Sequence, residues 1–253
     1  MIEALGMTAP TAAGVLAVFF LGGLVKGGLG FGLPLVTVSL LPLIVEIEVA
    51  FAINSMIIPV LNVWQLYQSG QAREALRRFW PLILTLSIAL PLGVLFASGI
   101  DGGSLTLALG IFVMVFTLFQ ALNPRLVIPA SWEKPAAAVT GVAAGVVGGL
   151  TTINGPFFVL YLVGRAVERE VMLGALGLFF LLTGLLLTGS FAALGRIDAA
   201  LALMTLACIL PGFAGMALGN LIGARVPQAL FRRVVLAGLF IAGANIAARG
   251  LGL

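Results

Sequence analysis

The stretch "LGGLVKGGLGFGLPLVTV", residues 21–38, sets one lysine and six glycines inside an apolar run. Its Leu, Val and Phe residues suit a membrane segment, while its glycines and Pro34 mark a place where a helix stops and restarts. Irregular backbone cannot face lipid, because its N–H and C=O groups would lack partners. It survives only when buried in protein or lining a wet cavity. A lysine at membrane depth costs about 2.5–3.5 kcal/mol on insertion scales. Both features ask for a functional reason.

The rest of the chain fits that setting. Of its 253 residues 61% are apolar and 9% charged, whereas soluble domains carry about 25% charged residues. Apolar runs recur from end to end, so the expected class is an all-α polytopic membrane protein. No hydrophilic stretch is long enough for an attached catalytic domain. The formal charge of +4 sits in short loops and reads as membrane topology, not as nucleic-acid binding. There is no histidine, and Cys208 is the one cysteine, so no internal disulfide, metal or cofactor is expected. The opening "MIEALGMTAPTAAG" lacks the basic region of a cleavable signal peptide, and Met1 is expected to remain.

The chain reads as a duplication. "LPLIVEIEV" (41–49) and "VGRAVEREV" (163–171) align at an offset of 122 residues. At that offset Gly23 falls on Gly145, Gly27 on Gly149, Pro34 on Pro156, Glu46 on Glu168 and Glu48 on Glu170. Leu90-Pro91 recurs as Leu210-Pro211 after a two-residue gap. The acid-X-acid match is specific because the chain holds nine acids in all. Residues 1–125 and 126–253 are therefore read as two transmembrane repeats of one integral membrane domain.

Each repeat divides into five helical segments. They are expected near 10–25, 33–44, 48–68, 80–99 and 104–122, then near 135–149, 155–165, 170–194, 199–222 and 228–249. The first two of each half are expected to be short of the roughly 20 apolar residues that a span needs.

Charge orients the halves. If each short pair is a hairpin entering and leaving on one side, the basic loops 69–79, 123–134 (with Arg125), 164–170 and 223–233 all become cytoplasmic. Only Arg196 and Arg249 then lie outside, as the positive-inside rule prefers. This predicts inverted repeats with both termini outside, residues 73 and 196 on opposite faces, and re-entrant hairpins meeting near the membrane centre. Paired Gly/Pro-interrupted segments in inverted repeats point to a transporter site.

The hairpin tips carry the candidate site. Pro34 and Pro156 each open a second segment, where proline costs no hydrogen bond. Each tip should present the positive end of a helix. Gly27, Gly28, Gly30 and Gly32 would let backbone approach a ligand, and Lys26 adds a positive charge. In the second tip, "GGLTTINGP" (148–156), Thr151, Thr152, Asn154 and Gly155 are the candidates. "GVAAGVVGG" (141–149) suits helix packing instead. No acid lies within an apolar run, and Glu46, Glu48, Glu168 and Glu170 fall at helix starts, where capping is their expected role. The expected ligand is a small anion. Asn54 and Ser55, with Asn62 and Gln65 further on, either line the same cavity or join helices by hydrogen bonds.

With "GGLVKGGLGFGLP" and "GVVGGLTTINGP" each opening a half, the chain resembles the sulfite exporter TauE/SafE family. "GMALGNLIGARVPQALFRRVVLAGLFIAGANI" (215–246) is similar to that family's closing segment. The resemblance implies an inner-membrane permease, multi-pass and bacterial, for sulfite, organosulfonates or related sulfur-containing anions, often moving them outward. Lys26 departs from the glycine-and-apolar pattern of the first family motif. A passive anion channel and a transporter of a small carboxylate are the alternatives. An enzyme is not expected, because without histidine most nucleophile–base pairs are unavailable. The expected partners are a small anionic substrate and membrane lipid. Homo-oligomerisation and coupling to protons or another ion are compatible with the sequence.

Overall fold

The computed structural model describes residues 8–122, 127–223, 225 and 228–252, without the side chains of residues 228, 229, 231 and 232. Met1 to Met7, Arg125 and the Arg232 side chain, used above, lie outside the described residues. Among the described residues all regular structure is helical. The helices are α1 (Ala9–Leu29), α2 (Leu33–Leu40), α3 (Ile47–Ser69), α4 (Ala72–Arg78), α5 (Trp80–Ala97), α6 (Gly102–Ala121), α7 (Glu133–Thr151), α8 (Gly155–Gly164), α9 (Arg169–Ala193), α10 (Ala199–Gly223) and α11 (Gln228–Gly250). Short 3-10 turns follow α2 and precede α7. Among the described residues seven helices are long and apolar enough to cross a membrane: α1, α3, α5, α6, α9, α10 and α11 from Arg233 onward. The protein is an all-α, multi-pass membrane protein.

Local chemistry places the helix ends. Thr8 caps α1 by accepting from Thr11 N at 3.3 Å, and Asp101 caps α6 by accepting from Ser104 N at 2.9 Å. Asp198 accepts from Leu201 N at 2.7 Å at the start of α10. Such caps satisfy donors that the first helical turn leaves orphaned. Glu168 stands at the N-cap of α9 but makes no side-chain capping bond, contrary to its expected role.

Two expectations about length change. Helix α1 has 21 residues, about 31 Å at 1.5 Å per residue, so the first segment is not short. The helix runs on through Lys26, Gly27 and Gly28, because among apolar neighbours it is the one way to pair those backbone groups internally. The 8-residue α2 and 10-residue α8 remain short. The basic loop 69–79 is also more ordered than expected. It folds as α4, "AREALRR", from good helix formers.

The helices pack as two compact units, each drawing on both sequence halves. The first comprises Met1–Ile57, Ile100–Pro124 and Gly195–Leu253. In it α1 lies along α10 at backbone contact, because glycines leave no side chain between them. A methyl on Gly23 or Gly27 would run into the Gly212 or Met216 carbonyl, and one on Gly215 or Gly219 into Phe20 O or Leu24 O. Helices α6 and α11 meet in the same way through Gly110, Gly243 and Gly250. Helix α2 rests against α1, α6 and α11.

The second unit comprises Ile58–Gly99 and Arg125–Leu194. Its main seam joins α5 to α7. A methyl on Gly93 would stand 2.7 Å from Val146 O, and one on Gly145 2.6 Å from Ala89 Cβ. Gly141 and Gly145 are thus packing glycines, as their sequence context suggests. Helix α9 packs against α4, α5 and α8 around Phe79, Phe158, Tyr161, Phe179 and Phe180. Pro59, inside α3, fits where Gly184 of α9 has no side chain. At the unit's polar end Glu133 accepts from Arg78 Nε at 2.6 Å and from Arg165 Nη2 at 2.7 Å, tying α4, α7 and the end of α8.

Candidate functional site

The first tip lies in the first unit. Helix α1 ends at Gly30, whose backbone is left-handed (φ 82°) and whose N–H donates to Lys26 O at 2.7 Å. Gly32, also left-handed at φ 105°, is the N-cap of α2 and makes no side-chain capping bond. These two positions need glycine, because a Cβ destabilises left-handed backbone by roughly 1–2 kcal/mol. The tip therefore follows from the sequence pattern, but the Gly30 amide is already used in closing α1. Gly27 and Gly28 lie against α10. A methyl on Gly27 would meet Met216 O, and one on Gly219 would stand 3.0 Å from Gly28 N. The close approach they permit is that of α10.

Lys26 occupies the last turn of α1 and is 3% exposed. Its side chain ends inside the protein, not at a surface. Among the described residues the buried polar set contains this one lysine and no carboxylate. Hydroxyls and amides make up the remainder: Thr37, Ser39, Asn54, Ser55, Asn62 and six further threonine and asparagine residues.

The second tip lies in the second unit and repeats the turn. Helix α7 ends at Thr152, left-handed at φ 58°, whose N–H donates to Gly148 O at 2.8 Å. At the 122-residue offset Thr152 aligns with Gly30, and Gly148 with Lys26. A threonine in left-handed backbone is an outlier, since its β-branch crowds that conformation. Residues 151–156 are all buried. Thr151 holds the turn, donating to Val147 O at 2.8 Å and accepting from Ile153 N at 3.1 Å.

Asn154 is the N-cap of α8, yet its side chain makes no capping bond. Its Nδ2 instead donates to Thr183 Oγ1 of α9 at 2.7 Å, and its Oδ1 is buried without a partner. A methyl on Gly148 would stand 3.0 Å from Asn154 Cβ, so that glycine makes room for the amide. Gly155 packs on the Phe180 ring, 2.9 Å from where its Cβ would be. This tip thus joins the positive end of a helix to an unfilled hydrogen-bonding position.

The remaining candidates are structurally satisfied. In the first unit Asn54 Oδ1 accepts from Thr37 Oγ1 of α2 at 2.6 Å. Ser55 donates back to Ala52 O at 2.8 Å, the local bond common for hydroxyls in apolar helices. In the second unit Asn62 donates to Ile58 O at 2.7 Å and Gln65 to Leu173 O at 3.0 Å. Thr37 and Thr183, which position the two asparagines, escape sequence reading. Each is one threonine in an apolar run, and only the fold reveals its partner.

Comparison with known proteins gives one match of long extent. The family described as sulfite exporter TauE/SafE matches residues 15–246. No curated protein and no solved structure matches the chain significantly.

Proposed function

The chain belongs to the sulfite exporter TauE/SafE family, and from that premise we propose that it is a secondary permease for a small sulfur-containing anion. Sulfite, an organosulfonate or a related organic anion is the cargo, moved outward across the bacterial inner membrane. The family is one of transporters, which agrees with a chain built for binding and passage, not for catalysis.

The observation that carries the reading is Asn154. It is fully buried, stands at the start of α8, leaves that helix uncapped, and keeps one amide atom without a partner. Leaving a buried polar atom unmade costs about 1–3 kcal/mol; that atom is the acceptor Oδ1, so an oxyanion answers it only when the amide is turned over. If Thr183 donates to Oδ1, the amide turns Nδ2 and its two N–H bonds toward the ligand. An oxyanion there would meet amide donors, the positive end of the helix dipole and the Thr152 hydroxyl. In the first tip the uncapped start of α2 and the Lys26 ammonium supply the same sign of charge. A cation pathway would call for a buried carboxylate, and the described residues hold none.

The test is flux into and out of liposomes containing purified protein, with sulfite, thiosulfate, taurine-type sulfonates and small carboxylates compared. Saturable flux of a sulfur anion whose apparent affinity falls about tenfold in Asn154→Ala supports the reading. Flux of carboxylates alone would replace the substrate class, and non-saturable flux would indicate a channel.

A further inference from the structure

At the opposite end of α7 from the second tip, the second unit contains an open cavity of about 430 Å3 lined by Arg77, Arg78, Ser131, Glu133 and Lys134. Three cations less one carboxylate leave the lining with a charge of +2. That carboxylate is already engaged at both oxygens, by Arg78 Nε and by Arg165 Nη2. Arg78 binds Glu133 through its Nε, which leaves the N–H groups of its two terminal nitrogens to serve as donors. Planar guanidinium groups suit phosphate oxygens through such paired N–H bonds.

The surroundings identify the source of the phosphate. Trp132, between Ser131 and Glu133, and Trp80, two residues after Arg78, are 62% and 50% exposed. Exposed tryptophans gather at the membrane–water interface, at headgroup depth. From Trp80 an exposed apolar stripe continues along α5 through Leu84, Ile88 and Leu92, one residue every turn on a single face. A basic cavity at one end and an apolar track leading from it match the two parts of a phospholipid.

We propose that this cavity binds the phosphate headgroup of an anionic phospholipid, with the acyl chains lying along the α5 stripe. The test uses native mass spectrometry of the detergent-purified full chain with dioleoyl phosphatidylglycerol or dioleoyl phosphatidylcholine added. Wild-type protein should retain phosphatidylglycerol in preference to phosphatidylcholine. Each Lys or Arg near an anionic lipid surface contributes about fivefold to binding. Arg77→Gln with Lys134→Gln should therefore weaken phosphatidylglycerol binding about 25-fold, and Lys134→Gln alone about fivefold. Both side chains are exposed, so melting temperature and sulfite-induced shift should not change. Equal retention of the two lipids, or unaltered phosphatidylglycerol binding in the variants, would overturn the proposal. Inorganic phosphate displacing the lipid at equal concentration would also overturn it, by assigning the cavity to a soluble anion.

Discussion

Gly30 and Thr152 occupy equivalent positions, take the same left-handed backbone, and send their N–H back to the carbonyl four residues earlier. Beyond that shared turn the two tips diverge. The first keeps glycine where glycine is easiest and carries Lys26 on the helix before it. The second has Gly148 in place of the lysine, and at the turn itself a threonine under strain. Glycine would relieve the strain but would present no hydroxyl. The short helices are tied to the following long ones in opposite senses as well. Asn54 reaches from α3 to a threonine of α2, whereas Asn154 at the head of α8 reaches to a threonine of α9. One tip concentrates charge and the other concentrates neutral donors. The backbone turn is common to the two tips, and the chemistry is particular to each.

The largest expected effect tests the charged tip. Lys26→Met should lower sulfur-anion affinity about ten- to a hundredfold, the loss of a charge-assisted hydrogen bond worth about 1.5–3 kcal/mol. Substrate-induced thermal shift measures it, and unchanged affinity would leave the first tip a turn without a ligand. Next comes the contrast between the asparagines. Asn154→Ala should reduce affinity about tenfold, as for one hydrogen bond of roughly 1–1.5 kcal/mol. Asn54→Ala should chiefly lower melting temperature, with affinity kept by the folded fraction. If the two variants behave alike, the second tip has no special claim on substrate.

The reciprocal exchange at the turn is expected to be smaller. Gly30→Ala places a Cβ in left-handed backbone and should destabilise by roughly 1–2 kcal/mol. Thr152→Gly should be neutral or stabilising while still weakening transport. A stability loss in Thr152→Gly would show that its hydroxyl serves the fold instead. The smallest effect lies at the ion cluster of the second unit. Burial pushes the Glu133 carboxyl up, but hydrogen bonds and charge from Arg78 and Arg165 outweigh it and hold the group below its ordinary 4.5. A lowered folded-state value means the stabilisation is fully present above that pH and is lost as pH falls through the folded value. Melting curves of wild type and Glu133→Gln should therefore differ at pH 7 and converge in acid.

Much of the helix order was legible in the sequence, because apolar runs, prolines and caps act locally. Pro34 and Pro156 open α2 and α8 as their positions imply, and α9 begins within one residue of its expected start. The length of α1 was not legible. Lys26 and its glycines look like breakers to a local reading, but a glycine's role depends on what lies across from it. Gly27 faces Met216, almost two hundred residues later, and no spacing rule announces that pairing. The same holds for Asn154, whose residue type and setting were readable but whose missing partner was not. Thr183 is an ordinary threonine until α9 brings it to the tip.

The seam between α1 and α10 has a consequence in time. Between the end of α1 at Leu29 and the start of α10 at Ala199 the ribosome must add about 170 residues, roughly 10–30 s of synthesis at about 5–20 residues per second. Both helices of the α5–α7 seam, and with them every residue of the second unit, are made before α10 begins. For that interval α1 stands in the bilayer without its partner, its glycine face and Lys26 turned toward whatever is near. The newborn chain thus passes through a stage in which a sensitive segment waits for a partner made much later, and any factor that shelters unfinished membrane proteins would find its handle there.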